Sequence, residues 1–381
     1  MPRGVDLDLT AEQELIRDTV RSFARERVAP VAEELDREAR FPAELVREMA
    51  ELGLMGIPID ERYGGAGGDT VSYAIAIEEL TRIDSSVAIT VAAHTSLGTM
   101  PIFLFGSAEQ KEQWLPDLAS GRRLAAFGLT EPDAGSDAGA TRTTADLRDG
   151  TWVVNGSKMF ITNAGTELTW GVTITARTGD DEISNLVVEN GTPGYGISEQ
   201  LHKLGWKASD TRELTFADCE VPEANLLGER GKGFHQFLEI LDGGRISVAA
   251  MGVGLAQGAY DLAYAYAQER HQFGRPIGKF QAVAFKLADM AVEIEAGRQL
   301  VLKAAWLKDR GRPFALEAAM AKLYTGELSH RVVNQALQIH GGYGFMDEFP
   351  ISRLYRDQKI LEIGEGTNEV QRMIVAKHLG L

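Results

Sequence analysis

The residues best placed to do chemistry lie near the end of the chain, at Ile363-Gly364-Glu365-Gly366-Thr367-Asn368-Glu369. A carboxylate between two glycines can stand close to a bound ligand without side-chain crowding. Thr367 opens a helix-like pattern, and the free N–H groups of a helix start suit a phosphate. Read alone, the same residues also describe an acidic turn before a capped helix. The stretch from Gly128 to Gly139 is rich in glycine and small residues. It lets main-chain N–H groups approach a ligand, and Thr130 and Ser136 add hydroxyls. It equally describes a loop between two domains. Arg270, in Glu269-Arg270-His271-Gln272-Phe273-Gly274, offers the fixed forked donors that suit a pyrophosphate. Asp242 and Arg245, three apart in a helical pattern, share one face either as a solvated ion pair or as a ligand contact.

Other chemistries lack their signatures. Gly252 and Gly254 are followed by Gln257, where a dinucleotide fingerprint needs a third glycine. Ser136 lacks the outer glycines of a nucleophile elbow, and the seven histidines show no metal spacing, so no metal is expected. The formal net charge of -16 opposes nucleic-acid binding. Cys219 is the only cysteine, so no intrachain disulfide or cysteine-based zinc site can form, which fits a reducing compartment such as the cytoplasm. Met1 to Asp8 reads as neither a signal nor a transit peptide. Apolar stretches such as Val87–Ala93 and Ile246–Ala256 fall short of the roughly 20 residues of a spanning helix. A soluble protein without membrane insertion is expected.

These residues must be held by more than one domain, because 381 residues exceed one ordinary core. The first third reads as helical. Thr10-Ala11-Glu12-Gln13 has a capping-box pattern, a helix starting at Pro42 can end at Gly53, and Val71–Arg82 and Ser86–Phe105 look like buried helices. Near Leu124 the pattern changes. Trp152–Ile161 places two short apolar runs around Asn155-Gly156, a hairpin signal. Val172–Ala176, Asn185–Val188 and Glu213–Phe216 read as strands without crossover helices, which predicts an antiparallel sheet. Helices return near Phe234, with long ones over Phe280–Arg310 and Phe314–His340.

The run Gly128-Leu129-Thr130-Glu131-Pro132-Asp133-Ala134-Gly135-Ser136-Asp137-Ala138-Gly139 closely resembles the signature loop of acyl-CoA dehydrogenases. Leu241-Asp242-Gly243-Gly244-Arg245, Arg270–Gly274, Gln338–Gly342 and Gly364–Gly366 resemble further elements of that family, and the resemblance runs from the Thr10 helix to Leu379. It implies an N-terminal all-α domain (residues 1–123), a middle antiparallel β-barrel-like domain (124–233) and a C-terminal four-helix-bundle domain (234–381). It is nearest the short-chain and short branched-chain members.

The resemblance also implies FAD, with Leu129 and Thr130 at the flavin pyrimidine edge and Ser136 by the cofactor pyrophosphate and the pantetheine arm. Phe160 takes a place often held by Trp, and Thr162 would bond flavin N5. Arg270, Gln272 and Phe273 would reach the FAD of a neighbouring subunit, with Gln281, Gln338 and Gly342 beside them, so a homo-oligomer is implied, usually a tetramer. Thr367 and Glu369 would lie on the FAD side, Gly366 by the substrate, and Asp242 and Arg245 at the adenosine end of coenzyme A. Glu365 becomes the base of an acyl-CoA α,β-dehydrogenation, with electrons passing to an electron-transfer flavoprotein. Some members carry the base at the position of Gly244; here only Glu365 can serve. Gly364 stands where many straight-chain members have Tyr, leaving room for a short straight or branched acyl group above a floor near Ile89 and Ala93. The alternatives are a carrier-protein-linked dehydrogenase and a non-catalytic flavin- or acyl-CoA-binding scaffold.

Overall fold

The computed structural model describes residues 8–381, so most of the Met1–Asp8 stretch read above as lacking a targeting signal lies outside the described residues. Among the described residues, seven helices come first: α1 (Ala11–Phe23), α2 (Ala32–Glu38), α3 (Ala43–Glu51), α4 (Thr70–Thr81), α5 (Ser85–Ala92), α6 (Met100–Phe105) and α7 (Ala108–Ala119). A sheet follows, built from β1 (Leu124–Gly128), β2 (Thr144–Arg148), β3 (Thr151–Thr162), β4 (Thr169–Gly179), β5 (Glu182–Glu189), β6 (Tyr195–Ile197), β7 (Thr211–Pro222) and β8 (Leu226–Leu227). The chain closes with α8 (Gly233–Glu269), α9 (Gln281–Asp309), α10 (Ala315–His340), α11 (Pro350–Asp357) and α12 (Asn368–His378). Helical, sheet and helical regions thus follow in the expected order.

The local signals act as their chemistry requires. Thr10 and Gln13 form the reciprocal capping box, with Gln13 N–H donating to Thr10 Oγ1 at 3.2 Å and Thr10 N–H to Gln13 Oε1 at 3.0 Å. Pro42 stands one residue before α3, at its N-cap position and without a capping bond, and the chain leaves that helix through Gly53 at φ +74°.

Three expectations are corrected. Asn155-Gly156 is no hairpin turn: β3 runs straight through it, with a bulge against β7 between Val154 and Gly156. Gly156 sits at φ +146°, and a Cβ there would come within 2.7 Å of Thr143 Cα, so the close crossing of another backbone selects glycine. The tight turn between β2 and β3 is Asp149-Gly150, both at positive φ. Second, the sheet is mixed, because β1 pairs with β4 in parallel. Between these two strands the chain passes through the antiparallel pair β2 and β3, a connection long enough to bring β4 back alongside β1 in the same direction. Third, Ser85–Phe105 is long and apolar enough to span a membrane, because α5 and α6 join through the π-helical stretch Ala93–Thr99. That window is 83% buried inside the protein, which makes it a core helix.

The sheet has its own apolar core around Trp152, Val154, Ile174, Leu186 and Phe216. The two helical regions instead share one core, in which Val20, Leu80 and Val91 belong to the same cluster as Met251, Leu328 and Leu361. Long-range polar contacts lock the regions together. The Asp309 carboxylate at the end of α9 accepts the free N–H groups of Thr70 and Val71 at the start of α4 (2.8 and 3.2 Å). Buried Asp357 on α11 accepts Ser85 Oγ from α5 at 2.6 Å and the Trp206 N–H from the sheet region at 2.8 Å. One carboxylate therefore ties three regions.

Burial, reinforced by nearby Asp84, pushes Asp357 up to about 6. A carboxyl raised in the folded state gives its full contribution to stability below its unfolded pKa and loses it as pH rises through the folded value. Asp357→Asn removes that titration while keeping an acceptor for Trp206. Thermal unfolding at about pH 5 and pH 7 is expected to show wild type losing stability relative to the variant at the higher pH. A difference in Tm that does not change with pH contradicts this.

Candidate active site

Glu365 lies in the loop that leads into α12, with φ +53° at Glu365 and +90° at Gly366. Left-handed backbone at a glutamate costs free energy and persists only where its surroundings impose it. Here they do. Gln371 Nε2 donates to the carbonyls of Glu365 (3.3 Å) and Gly366 (2.9 Å), and Lys322 Nζ donates to Gly366 O at 2.8 Å. Thr367 then caps α12, accepting the Val370 N–H at 3.3 Å. The loop backbone is partly exposed, yet both carboxylate oxygens of Glu365 are buried and have no hydrogen-bond partner. Burial pushes the carboxyl up to about 7, against the opposing pull of Arg245 and Lys322.

The carboxylate rests on the backbone of α8. A Cβ at Gly244 would lie 2.2 Å from Glu365 Oε2 and 3.0 Å from its Cδ. A side chain borne by residue 244 would therefore enter the space that the Glu365 carboxylate fills. Arg245 follows directly. Its side chain is 4% exposed, pairs with Asp242 and leaves Nε buried without a partner. The pair is thus not a solvated one. Arg245 is sealed in beside the carboxyl, whereas Asp242 is 27% exposed.

The glycine-rich loop is anchored from below. Lys158 on β3 is fully buried and donates to Leu129 O (3.1 Å), Glu131 Oε1 (2.7 Å) and Thr175 Oγ1 (3.1 Å). Glu131 also accepts the N–H groups of Arg142 (2.7 Å) and Thr143 (3.1 Å). Although burial opposes it, Lys158 and these donors hold Glu131 below the usual carboxylate range. Leu129 and Thr130 are half-buried on this support, and Ser136 is exposed further along the loop. Met159 N–H donates to Thr130 O at 2.7 Å, which brings the end of β3 alongside. There Phe160 stands at φ +63° in a bulge, 66% exposed, with Thr162 half-buried two residues on.

A second group gathers elsewhere. Arg270, Gln272 and Gly342 line one cavity of about 600 Å³ with Tyr343, and the Arg270 guanidinium lies 5.5 Å over the Tyr343 ring. Phe273, at φ +52°, is 92% exposed and meets Phe280 edge-on. Gln281 opens α9 and Gln338 lies in the last turn of α10, both exposed. The lining of this cavity includes none of Thr130, Phe160, Thr162 or Glu365. Thr367 and Glu369, in contrast, belong to the Glu365 loop and the first turn of α12.

Three family models cover the chain: the acyl-CoA dehydrogenase N-terminal domain over residues 10–122, the middle domain over 126–219 and the C-terminal domain over 231–380. The chain belongs to the acyl-CoA dehydrogenase family. It is 52% identical to a probable acyl-CoA dehydrogenase of Bacillus subtilis over 98% of this chain and 100% of the relative. Its fold matches butyryl-CoA dehydrogenase from Megasphaera elsdenii with a TM-score of 0.96 at 44% identity, covering 99% of this chain and 100% of that one. A chain solved in work on the electron transferring flavoprotein of Acidaminococcus fermentans matches equally, with a TM-score of 0.96 at 45% identity, over 98% of this chain and 99% of that one. An acyl-CoA dehydrogenase is a flavin-dependent oxidoreductase, and its cofactor is FAD. The carrier-protein-linked and scaffold alternatives are not favoured.

The residues present fit that cofactor. Gly135 has nothing within 4 Å of where a Cβ would stand, so main chain is open to a ligand there. Phe160 is exposed and Thr130 and Thr162 are half-buried where Met159 N–H joins the loop to β3, and Arg270 lines the cavity. Sequence reasoning missed Lys322, Gln371 and Lys158. Lys322 had a signal, since it falls on the apolar face of α10 among Ala318, Ala321 and Thr325, where a cation needs a reason. Gly244→Ala is expected to retain FAD but displace the carboxyl, lowering kcat about 100-fold. Unchanged turnover in the flavin-loaded variant contradicts the contact.

Proposed function

We propose that this chain dehydrogenates short straight or branched acyl-CoA thioesters between carbons α and β, with Glu365 as the base. The observation that carries this is the buried, unpartnered carboxyl of Glu365, raised to about 7 by its surroundings. A base is most useful when its pKa lies near the working pH and no other group occupies its lone pairs. Glu365 takes the α proton while its own main-chain N–H donates to the thioester oxygen, where negative charge develops. FAD, when bound, supplies the acceptor for the β hydrogen, which leaves as hydride. Arg245 and Asp242 flank the substrate along α8, with Asp242 toward the outside, and Gly366 lets the thioester approach.

Leu129, Thr130, Ser136, Phe160, Thr162, Thr367 and Glu369 would hold the FAD of their own chain. Arg270, Gln272, Phe273, Gln281, Gln338 and Gly342 would complete the FAD site of a neighbouring chain. Support for two chains per site comes from their exposure and from a cavity whose lining omits the Glu365 group. A homotetramer follows the family resemblance, as does an electron-transfer flavoprotein as acceptor, with which the Acidaminococcus likeness agrees. The buried lone Cys219 suits a reducing cytoplasm. A short or branched acyl group is supported at Gly364, where a Cβ would meet only Ile360 at 3.4 Å, so no ring crowds the space beside the base.

Anaerobic titration of the FAD-loaded protein with butyryl-, isobutyryl-, 2-methylbutyryl-, isovaleryl- and octanoyl-CoA, followed by flavin absorbance, tests this reading. Bleaching is expected with one of the short thioesters and is expected to vanish in Glu365→Gln without loss of FAD. Substantial flavin reduction in that variant removes Glu365 from its role. A clear octanoyl optimum overturns the chain length.

A further inference from the structure

We propose that Lys322 is the positioning residue for Glu365, fixing the loop through the Gly366 carbonyl and favouring the carboxylate through its own charge. The inference rests on Glu365 being the base. Lys322 is among the largest fully buried side chains of the protein. Burying an ammonium is costly unless charge or hydrogen bonds compensate. Among the described residues Lys322 forms no ion pair; its ammonium donates to two neutral acceptors, Gly366 O at 2.8 Å and Asn368 Oδ1 at 3.2 Å. The protein thus buries a cation without a direct anionic partner one peptide away from a buried anion without any partner. Each supplies the opposite charge that the other lacks.

The packing shows that α10 is built to deliver this group. One turn after Lys322, Gly326 lets the helix approach so closely that a Cβ there would lie 3.0 Å from Leu361 O and 3.2 Å from Asn368 Oδ1. Lys322 therefore reaches up beneath the loop from a helix held tight against it. Its bond to Gly366 O, shared with Gln371 Nε2 at 2.9 Å, orients the peptide after Gly366. With that peptide fixed, the left-handed turn at Glu365 and Gly366 aims the carboxyl at Gly244. A lost bond would let the turn relax, because a glutamate does not prefer that backbone.

The charge acts beside the geometry. The groups that face Glu365 are Arg245 from α8, Lys322 from α10 and the neutral Tyr73 from α4, while Lys322 is faced in turn by Arg245, Glu362 and Glu369. Arg245 acts on the carboxyl more strongly but is also engaged with Asp242, and Lys322 adds the second positive charge facing Glu365.

The experiment compares kcat/KM against pH for FAD-loaded wild type, Lys322→Met, Lys322→Gln and Glu365→Gln. Without the cation, the acid limb of Lys322→Met is expected to move up by about one pH unit, roughly a tenfold extra loss at about pH 6. Flavin content and the KM for acyl-CoA are expected to stay near wild type. Lys322→Gln keeps an amide donor for Gly366 O, so its high-pH kcat is expected to return toward wild type while its acid limb stays shifted. Coincident acid limbs in wild type and Lys322→Met overturn the proposal. So does failure of Lys322→Gln to fold and take up FAD, since the lysine would then be holding the fold and not the base. If instead Glu365→Gln turns over normally, the fault lies with Glu365 as base and not with Lys322.

Discussion

An acid buried without a partner is the constraint on which the rest of this protein depends. Both Glu365 oxygens are buried and unpaired, whereas among the described residues the other buried acids are bonded. Glu131 has Lys158 and two main-chain donors, and Asp357 has Ser85 and Trp206. Leaving a carboxylate unbonded costs about 1–3 kcal/mol or more. The fold carries that cost only because several elements enforce it: α8 gives up a side chain at Gly244, α10 supplies Lys322, and α12 sends Gln371 back to the loop. The result is a carboxyl that burial raises to about 7, with no hydrogen bond to either oxygen.

Part of the backbone strain falls on the same segments. Phe160, Phe273 and Glu365 all adopt positive φ, and each belongs to a segment that the family resemblance assigns to cofactor or substrate. Such backbone is unfavourable for residues with side chains and tends to gather where function needs a fixed direction. Around these points the structure is conservative. A shared apolar core joins the first and last helical regions, and single carboxylates such as Asp309 and Asp357 bridge elements far apart in sequence. A rigid frame is what allows a few residues to be held in costly conformations.

Much of this was legible before the fold was known, and the part that was legible is local. Thr10 with Gln13 and Thr367 before Asn368 announce helix starts because a cap and its target lie three residues apart. Glu365 between glycines announces a carboxyl that can approach a ligand. The order of helical and sheet regions follows from periodicity. What failed was decided by partners far along the chain. Asn155-Gly156 suits a tight turn and a bulge equally well, and Thr143 across the sheet makes the choice. The parallel pairing of β1 with β4 joins strands that β2 and β3 separate in sequence. Lys322 could be suspected from its place on an apolar face, but its meaning needs Gly366, 44 residues later.

The central claim is most directly tested by titrating Glu365 itself. Difference infrared spectroscopy of the FAD-loaded protein, wild type minus Glu365→Gln, isolates the carboxyl stretch of this one side chain across pH. A protonation midpoint at about 7 is expected. A midpoint at the ordinary glutamate value of 4.5 contradicts it, because the carboxyl would then be solvated or paired and not poised as described.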